Sequence, residues 1–433
     1  MGLFLLPVLA TVALYLPSGL LMPVRLVTLV LAGLAVWQVA QTRRVPAPRV
    51  LAGVSVVAAS FVVFGTIGML RYPDRTSWVD ASHVGFIIIT CVSLAILTTT
   101  RRRALASIWG WVASGVVAGV VGVWEILTAK HLPGNLPAQR YAGKLEGWNE
   151  ISSFFDNPNL YAYHIVATML LLPVVWSMLR DAWTRWLVLP FGAVLSVLLW
   201  WTDGRMAMVT LVCGLLIWSL RFRWSRLVAL AAAAVTGLTM VLNVPPGRTV
   251  LDFIKLALDN IQWAGTSTWV RAEMARSGWW MLQQSNYLGV GPGGYARWAF
   301  DPANPHKYQE LNNAHWGMVE VVAEYGIVTL ALLLVALVAG AVMALRAAAR
   351  LRPAGAARAL DRTLMLAGMI AALTLPVLCV AHSTWLRQPL TAVHLGLIVS
   401  LLAVADLRSS RPTTRSLDAD PSPAAEEDSA HAG

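Results

Sequence analysis

The sequence has 433 residues, of which 57% are hydrophobic and only 13% charged, far from the roughly one-quarter charged content of ordinary soluble domains. It reads as an all-α polytopic membrane protein. The formal net charge of +11 does not indicate nucleic acid, because the basic residues are spread through short loops between apolar runs and form no single patch.

Crossing a hydrocarbon core takes about 20 mainly apolar residues. Such runs lie near 3–20, 23–41, 50–70, 82–99, 105–127, 159–179, 184–201, 206–221, 227–243, 317–345, 362–381 and 389–406, about 12 expected transmembrane helices. The first opens at Leu3 with no basic region ahead of it, so it reads as a membrane helix and not a cleaved leader, with nothing removed from the mature chain. Cys91, Cys213 and Cys379 lie in three different runs with no Cys-x-x-Cys or Cys/His spacing. They read as packing residues, with no disulfide framework and no metal site.

Every second loop is basic, which orients the chain because cytoplasmic loops are enriched in Lys and Arg. These loops carry Arg43, Arg44 and Arg49; Arg101, Arg102 and Arg103; Arg180 and Arg185; Arg221, Arg223 and Arg226; and Arg346, Arg350, Arg352, Arg358 and Arg362. Only Asp181 and Asp361 offset them, whereas the opposite loops mix signs, as in Arg71, Asp74, Arg75 and Asp80. Both termini are therefore expected in the cytoplasm.

The same tracing gives two large periplasmic segments, about 128–158 and about 244–316, the second between helices 9 and 10. That loop is expected to be partly helical and folded onto the membrane surface, with Trp263, Trp269, Trp279, Trp280 and Trp298 as interfacial anchors. Apolar residues at Val250, Phe253, Ile254, Leu256, Leu258 and Ile261 predict an interfacial amphipathic helix. The expected organisation is a transmembrane domain over 1–407 and a disordered cytoplasmic tail over 408–433. No internal repeat suggests a transporter built of two halves.

Four places carry polar groups suited to chemistry. His315 stands at the start of the tenth span, and a neutral imidazole there can take a proton from an attacking hydroxyl; the plainer reading is a helix-start histidine bonded to a loop carbonyl. Arg205, in Trp201-Thr202-Asp203-Gly204-Arg205, presents a planar fork of donors suited to phosphate oxygens; pairing with Asp203 or snorkelling toward water are its plainer readings. Arg271 lies in a helical stretch with Glu273 and Arg276, which either helps bind an anion or forms a surface ion-pair network. The run Gly289 to Gly294 either offers backbone amides to a phosphate or is a turn. Ahead of span six, Phe154-Phe155-Asp156-Asn157-Pro158-Asn159 either caps the helix or, through Asn157 and Asn159, holds sugar hydroxyls or phosphate oxygens. Glu320 and Glu324 are unusual in an apolar span and are expected to hold His315 or a loop arginine, or else to signal transport.

Taken together these segments resemble the superfamily of O-antigen ligases, O-antigen polymerases and related bacterial oligosaccharyltransferases. The resemblance lies in Phe155-Asp156-Asn157-Pro158-Asn159, in Asp203-Gly204-Arg205, in Arg271 followed by Gly289-Val290-Gly291-Pro292-Gly293, and in His315 with Glu324-Tyr325-Gly326. It covers about Phe154 to Gly326 in motifs. The first five spans contribute only topology. Trp316 stands where the family often has Asn, and Thr329 where it has a later glycine.

The resemblance implies a glycosyltransferase of the bacterial inner membrane that moves a glycan from undecaprenyl diphosphate to an acceptor hydroxyl at the periplasmic face, with inversion and without a metal or other cofactor. Lipid A-core is the expected acceptor, and O-antigen ligation the expected reaction. His315, Arg205 and Arg271 would be catalytic, with Asn157, Asn159 and Arg276 joining the arginines as substrate contacts. An O-antigen or exopolysaccharide polymerase is the alternative within the superfamily, followed by a protein O-glycosyltransferase. From another class, a secondary transporter or lipid flippase predicts ionisable groups at mid-membrane and broken helices.

Overall fold

The computed structural model describes residues 1–16, 22–140, 150–179, 181–219, 221–222, 267–308, 312–351, 355–381 and 384–409, with isolated positions between 227 and 234. Most of the expected ninth span, the amphipathic helix at 250–261, Trp263 and nearly all of the tail lie outside the described residues. Among the described residues the protein is helical and contains no strand. Among the described residues nine helices are long and apolar enough to cross a membrane, and two shorter apolar helices accompany them.

In chain order the helices are α1 (Gly2–Thr11), α2 (Pro23–Thr42), α3 (Pro48–Arg71), α4 (Trp78–Leu97), α5 (Arg101–Thr128), α6 (Leu136–Arg140), α7 (Pro158–Met178) and α8 (Ala182–Trp186). They continue as α9 (Val188–Trp201), α10 (Arg205–Trp218), α11 (Ser267–Gln284), α12 (Gly294–Trp298), α13 (Gly317–Arg350), α14 (Ala356–Leu378) and α15 (Pro389–Ser409). The first expected span is not one helix. α1 stops at Thr11, a 3-10 turn covers Ala13–Tyr15, and Leu16 is extended, as the residue before a proline is driven to be. α10, at 14 residues, is only ~21 Å long at 1.5 Å per residue.

Most of α7 and α15 is buried at the centre of the bundle, whereas α2 and the α8–α9 segment keep most of their apolar side chains on its outside. Apolar side chains facing outward on long apolar helices are what a lipid solvent requires. Several polar groups inside the bundle are partnered across helices. Ser114 Oγ and His164 Nε2 lie 3.2 Å apart, Tyr163 Oη meets His394 Nδ1, and Trp218 Nε1 donates to the Leu170 carbonyl at 3.0 Å.

The two ends of the bundle differ in their chemistry. At one end, the Arg49 amide donates to Asp406 (2.9 Å), Arg101 pairs with buried Asp361 at 2.8 Å, and Arg408 pairs with the same carboxylate. This gathers the starts of α3, α5 and α14 with the end of α15 and holds together the three basic loops that lead into α3, α5 and α14. At the other end, Arg71 donates to the Ser285 carbonyl (3.1 Å), the Ser77 amide to the Pro292 carbonyl (2.9 Å), and the Ile151 amide to the Trp201 carbonyl (3.2 Å). Residues 267–308 dock there. The guanidinium of Arg75 lies 4.4 Å from the centre of the Trp298 ring and its Nη1 pairs with Asp301.

The expected single span at 317–345 is broken. Gly326, with φ 81° and ψ 171°, interrupts α13, and the glycine-rich turn enters the break. The amides of Val290 and Gly291 donate to the carbonyls of Ala323 and Glu324, both at 2.8 Å, while the Ile327 amide donates to Tyr287 at 3.1 Å. The approach is too close for side chains: a Cβ on Gly289 would lie 2.5 Å from the Glu324 carbonyl oxygen, and one on Gly326 would lie 2.7 Å from Leu288 backbone atoms. Thus the Gly-rich run and the Glu-x-Gly element, far apart in sequence, are two halves of one backbone joint.

Candidate active site

Three segments bring the predicted cationic and basic residues to the same end of the bundle. Arg205 opens α10 after a tight turn in which Asp203 takes a left-handed backbone (φ 51°). Thr202 Oγ accepts from the Gly204 amide at 3.2 Å, and Asp203 reaches Arg205 Nε at 3.2 Å. The sequence left that pairing open; the turn makes it. Both side chains remain open to solvent, 56% and 43% exposed, so the pair orients the guanidinium without burying it.

Arg271 lies in the first half of α11, half-buried. Its guanidinium is pushed down from its usual range by burial first and then by the positive charge of Arg205, with Asp203 opposing. The two arginines therefore sit within each other's field. Like charges held together in a partly dry site are unfavourable unless an anion joins them. His315 completes the group. It precedes α13 in a left-handed conformation (φ 47°), a position that non-glycine residues adopt rarely and that is often strained at functional sites. Burial and then the charge of Arg271 push its imidazole down to about 4, so at neutral pH it is uncharged and has a lone pair to accept a proton.

The other predicted contacts are placed differently. Asn157 is the N-cap of α7: its side chain accepts from the Leu160 amide at 2.9 Å and donates to Asp156 at 3.0 Å. Asn159 is half-buried in the first turn of that helix. Arg276 is engaged by Glu273, whose other oxygen is 3.0 Å from His306 Nδ1, and is 60% exposed. Five residues beyond Arg271, it points to a different side of α11. The Gly289–Gly294 run is a turn whose central amides are taken by α13, so it presents no phosphate cradle there.

Glu320 and Glu324 do not hold His315. Glu320 accepts the amides of Trp385 (2.6 Å) and Leu386 (3.1 Å), and Glu324 accepts the amide of Tyr295 (3.3 Å). They bind the two loop segments that flank the start of α13, and so fix the ledge from which His315 projects. Arg387, in the same loop, pairs with Asp80 at 2.7 Å, and Gln388 reaches Asp156 at 3.4 Å.

One supporting residue escaped the sequence reading. Glu125, buried near the end of α5, accepts the amides of Ser152 (3.0 Å) and Ser153 (2.7 Å) and contacts His131 (3.2 Å) and Asn135 (3.4 Å). It shapes the chain leading to Asp156 and Asn157. Its signal was a lone carboxylate inside an otherwise apolar run, which a membrane rarely tolerates without a task. Among the described residues, no group of three or more His, Cys, Asp or Glu side chains could hold a metal ion.

No curated protein matches the chain. Residues 190–334 match the family model described as O-Antigen ligase, a segment that contains Arg205, Arg271, the glycine-rich turn, His315 and Gly326 but not Asn157 or Asn159. That match, over about a third of the chain, supports membership of the O-antigen ligase superfamily.

Proposed function

We propose that the protein is an O-antigen ligase-like glycosyltransferase that moves a glycan from undecaprenyl diphosphate to a hydroxyl of lipid A-core. The family supports ligase or polymerase-like activity; the observation that carries the finer reading is the convergence of Arg205, Arg271 and His315 from three separate segments. In this reading the arginines bind the diphosphate and neutralise the charge that builds on it as the glycosidic bond breaks. His315 takes the proton of the acceptor hydroxyl as its oxygen attacks the anomeric carbon from the opposite side, inverting it.

The depressed imidazole fits this order of events. Burial first, and then the charge of Arg271, make His315 a weak base. A bound diphosphate offsets the part that comes from Arg271, so the imidazole is more basic with donor present than without it. Because two fixed guanidiniums supply the positive charge, the reaction needs no divalent cation. Asn159 and Arg276 enter only as outer contacts to the donor, since Asn157 is committed to its cap.

The distribution of arginines supports an inner-membrane protein whose site end faces the periplasm. On this reading about 12 spans form one transmembrane domain over 1–407, with 128–158 and 244–316 periplasmic and 408–433 cytoplasmic. A polymerase, whose acceptor is a second lipid-linked glycan, would use the same three residues.

The test is transfer from purified undecaprenyl-diphosphate-linked glycan to purified lipid A-core by the full-length protein, with and without EDTA. Transfer that survives EDTA and is lost in Arg271→Ala is expected. Product elongated on the lipid carrier with no lipid A-core acceptor would favour the polymerase, and loss of activity on chelation would overturn the cation-free mechanism.

A further inference from the structure

A cavity of about 530 Å³ lies between α3, α4, α13 and α15, and Arg205, Arg271 and His315 are not among its lining residues. Its wall is apolar over most of its length, with Val54, Phe61, Cys91, Leu337, Met343 and Leu402 among the lining side chains. Exposed residues of α13, Ala339 and Val342, stand on its rim, so it opens sideways from the bundle toward the surrounding lipid. The volume is in the range of pockets that bind small molecules.

The cavity is asymmetric in charge. Arg49, Arg346, Arg350 and Ser409 line it at the end of the bundle that gathers the basic loops. Arg346 and Arg350 are one helical turn apart on α13 and both are exposed. Like charges at that spacing repel. Among the described residues no ion pair or hydrogen bond engages either guanidinium. Arg49 is different: its Nη1 donates to Ser409 Oγ at 3.0 Å and lies 3.9 Å from Asp406.

The place of the charge distinguishes the possible occupants. At 1.5 Å per residue the lining extends ~18 Å along α3 from Arg49 to Phe61 and ~26 Å along α13 from Arg350 to Leu333, long enough for an acyl chain to run inward from the arginines through most of a core ~30 Å thick. A lipid with its anionic head between the arginines and an acyl chain in the groove fits that depth. A polyprenyl donor would have its diphosphate at the opposite end of the bundle, with Arg205 and Arg271.

We propose that this groove is a binding site for an anionic phospholipid, with the phosphate held by Arg346 and Arg350 and one acyl chain lying between α3 and α13. The inference needs only the membrane assignment and does not depend on the proposed reaction. It concerns a structural or regulatory lipid in the leaflet opposite the catalytic end.

The test is native mass spectrometry of the full-length protein in detergent with dioleoylphosphatidylglycerol or dioleoylphosphatidylcholine added, followed by competition with undecaprenyl diphosphate. Wild-type protein should retain the phosphatidylglycerol on the order of tenfold more tightly, the scale expected of two basic residues at a membrane surface. The preference should disappear in Arg346→Gln/Arg350→Gln, and retention of either lipid should weaken in Ala339→Trp, which fills the groove from its exposed rim. Arg102→Gln, at an exposed arginine of the same end outside the groove, should behave as wild type. Equal retention of the two phospholipids by wild-type protein overturns the proposal and needs no variant to be read. So does an equal loss in Arg102→Gln, which would mean general surface charge, or displacement of the phosphatidylglycerol by undecaprenyl diphosphate, which would make the groove a donor site.

Discussion

Replacing Gly326 with alanine tests the joint that connects the glycine-rich turn to α13. At φ 81° and ψ 171° the backbone is in a region open essentially to glycine alone, and a side chain there costs about 1–3 kcal/mol in strain. The new Cβ would also stand 2.7 Å from the Leu288 carbonyl carbon and oxygen and from the Tyr287 oxygen. Backbone cannot swing aside as a flexible side chain can. Moving the turn breaks some of the three joint hydrogen bonds made by Val290, Gly291 and Ile327, each contributing about 0.5–1.5 kcal/mol. The sum is on the order of 3–5 kcal/mol of destabilisation. Gly33→Ala in α2 is the control, since nothing lies within 4 Å of its Cβ position and alanine favours a helix by about 1 kcal/mol. Thermal unfolding of the detergent-purified full-length protein should show Gly326→Ala melting well below wild type and Gly33→Ala no lower than wild type. Glycan transfer by Gly326→Ala should fall as well, because the same joint sets the entry to α13 where His315 sits. An unchanged melting temperature for Gly326→Ala would refute the interlocked-backbone account.

Other variants probe the site and its supports. Arg205→Ala and Arg271→Ala should each slow glycan transfer on the order of 10²–10³-fold, with poor rescue by lysine, which lacks the bidentate fork; wild-type rates in both would remove the anion clamp. His315→Gln should lower transfer roughly 10²–10⁴-fold at unchanged protein level, because glutamine can position a hydroxyl but not take its proton; full activity would leave His315 a positioning role only. The same residue gives a pH signature. With its folded value near 4 and an unfolded value near 6.5, the unfolded chain binds the extra proton first as pH falls, so wild-type stability should drop between about pH 6.5 and 4. Melting curves of His315→Gln should lack that component, and identical pH dependence in both proteins would contradict the buried neutral imidazole. Glu125→Ala should lower the melting temperature more than Glu125→Gln, since alanine leaves the buried Ser152 and Ser153 amides unpaired at about 1–3 kcal/mol each; equal melting of the two would deny the carboxylate its structural role.

Composition and apolar periodicity were enough to make this a helical membrane protein, because a chain in hydrocarbon must satisfy its own backbone and do so in runs of fixed length. The alternation of basic and mixed-sign loops was legible too, and the contacts of Arg101 and Arg408 with Asp361 bring two of those basic loops to one end with the end of α15. Motif order pointed to Arg205, Arg271 and His315. Only tertiary structure decided that they share one field, since electrostatic coupling depends on distance in space and the three residues come from segments well separated in the chain. It also assigned Glu320 and Glu324 to loop amides and Asn157 to a helix cap, and showed Gly326 breaking a span that its apolar sequence describes as continuous. Those outcomes depend on which backbone donors and carbonyls arrive nearby after folding, and an apolar pattern carries no information about that.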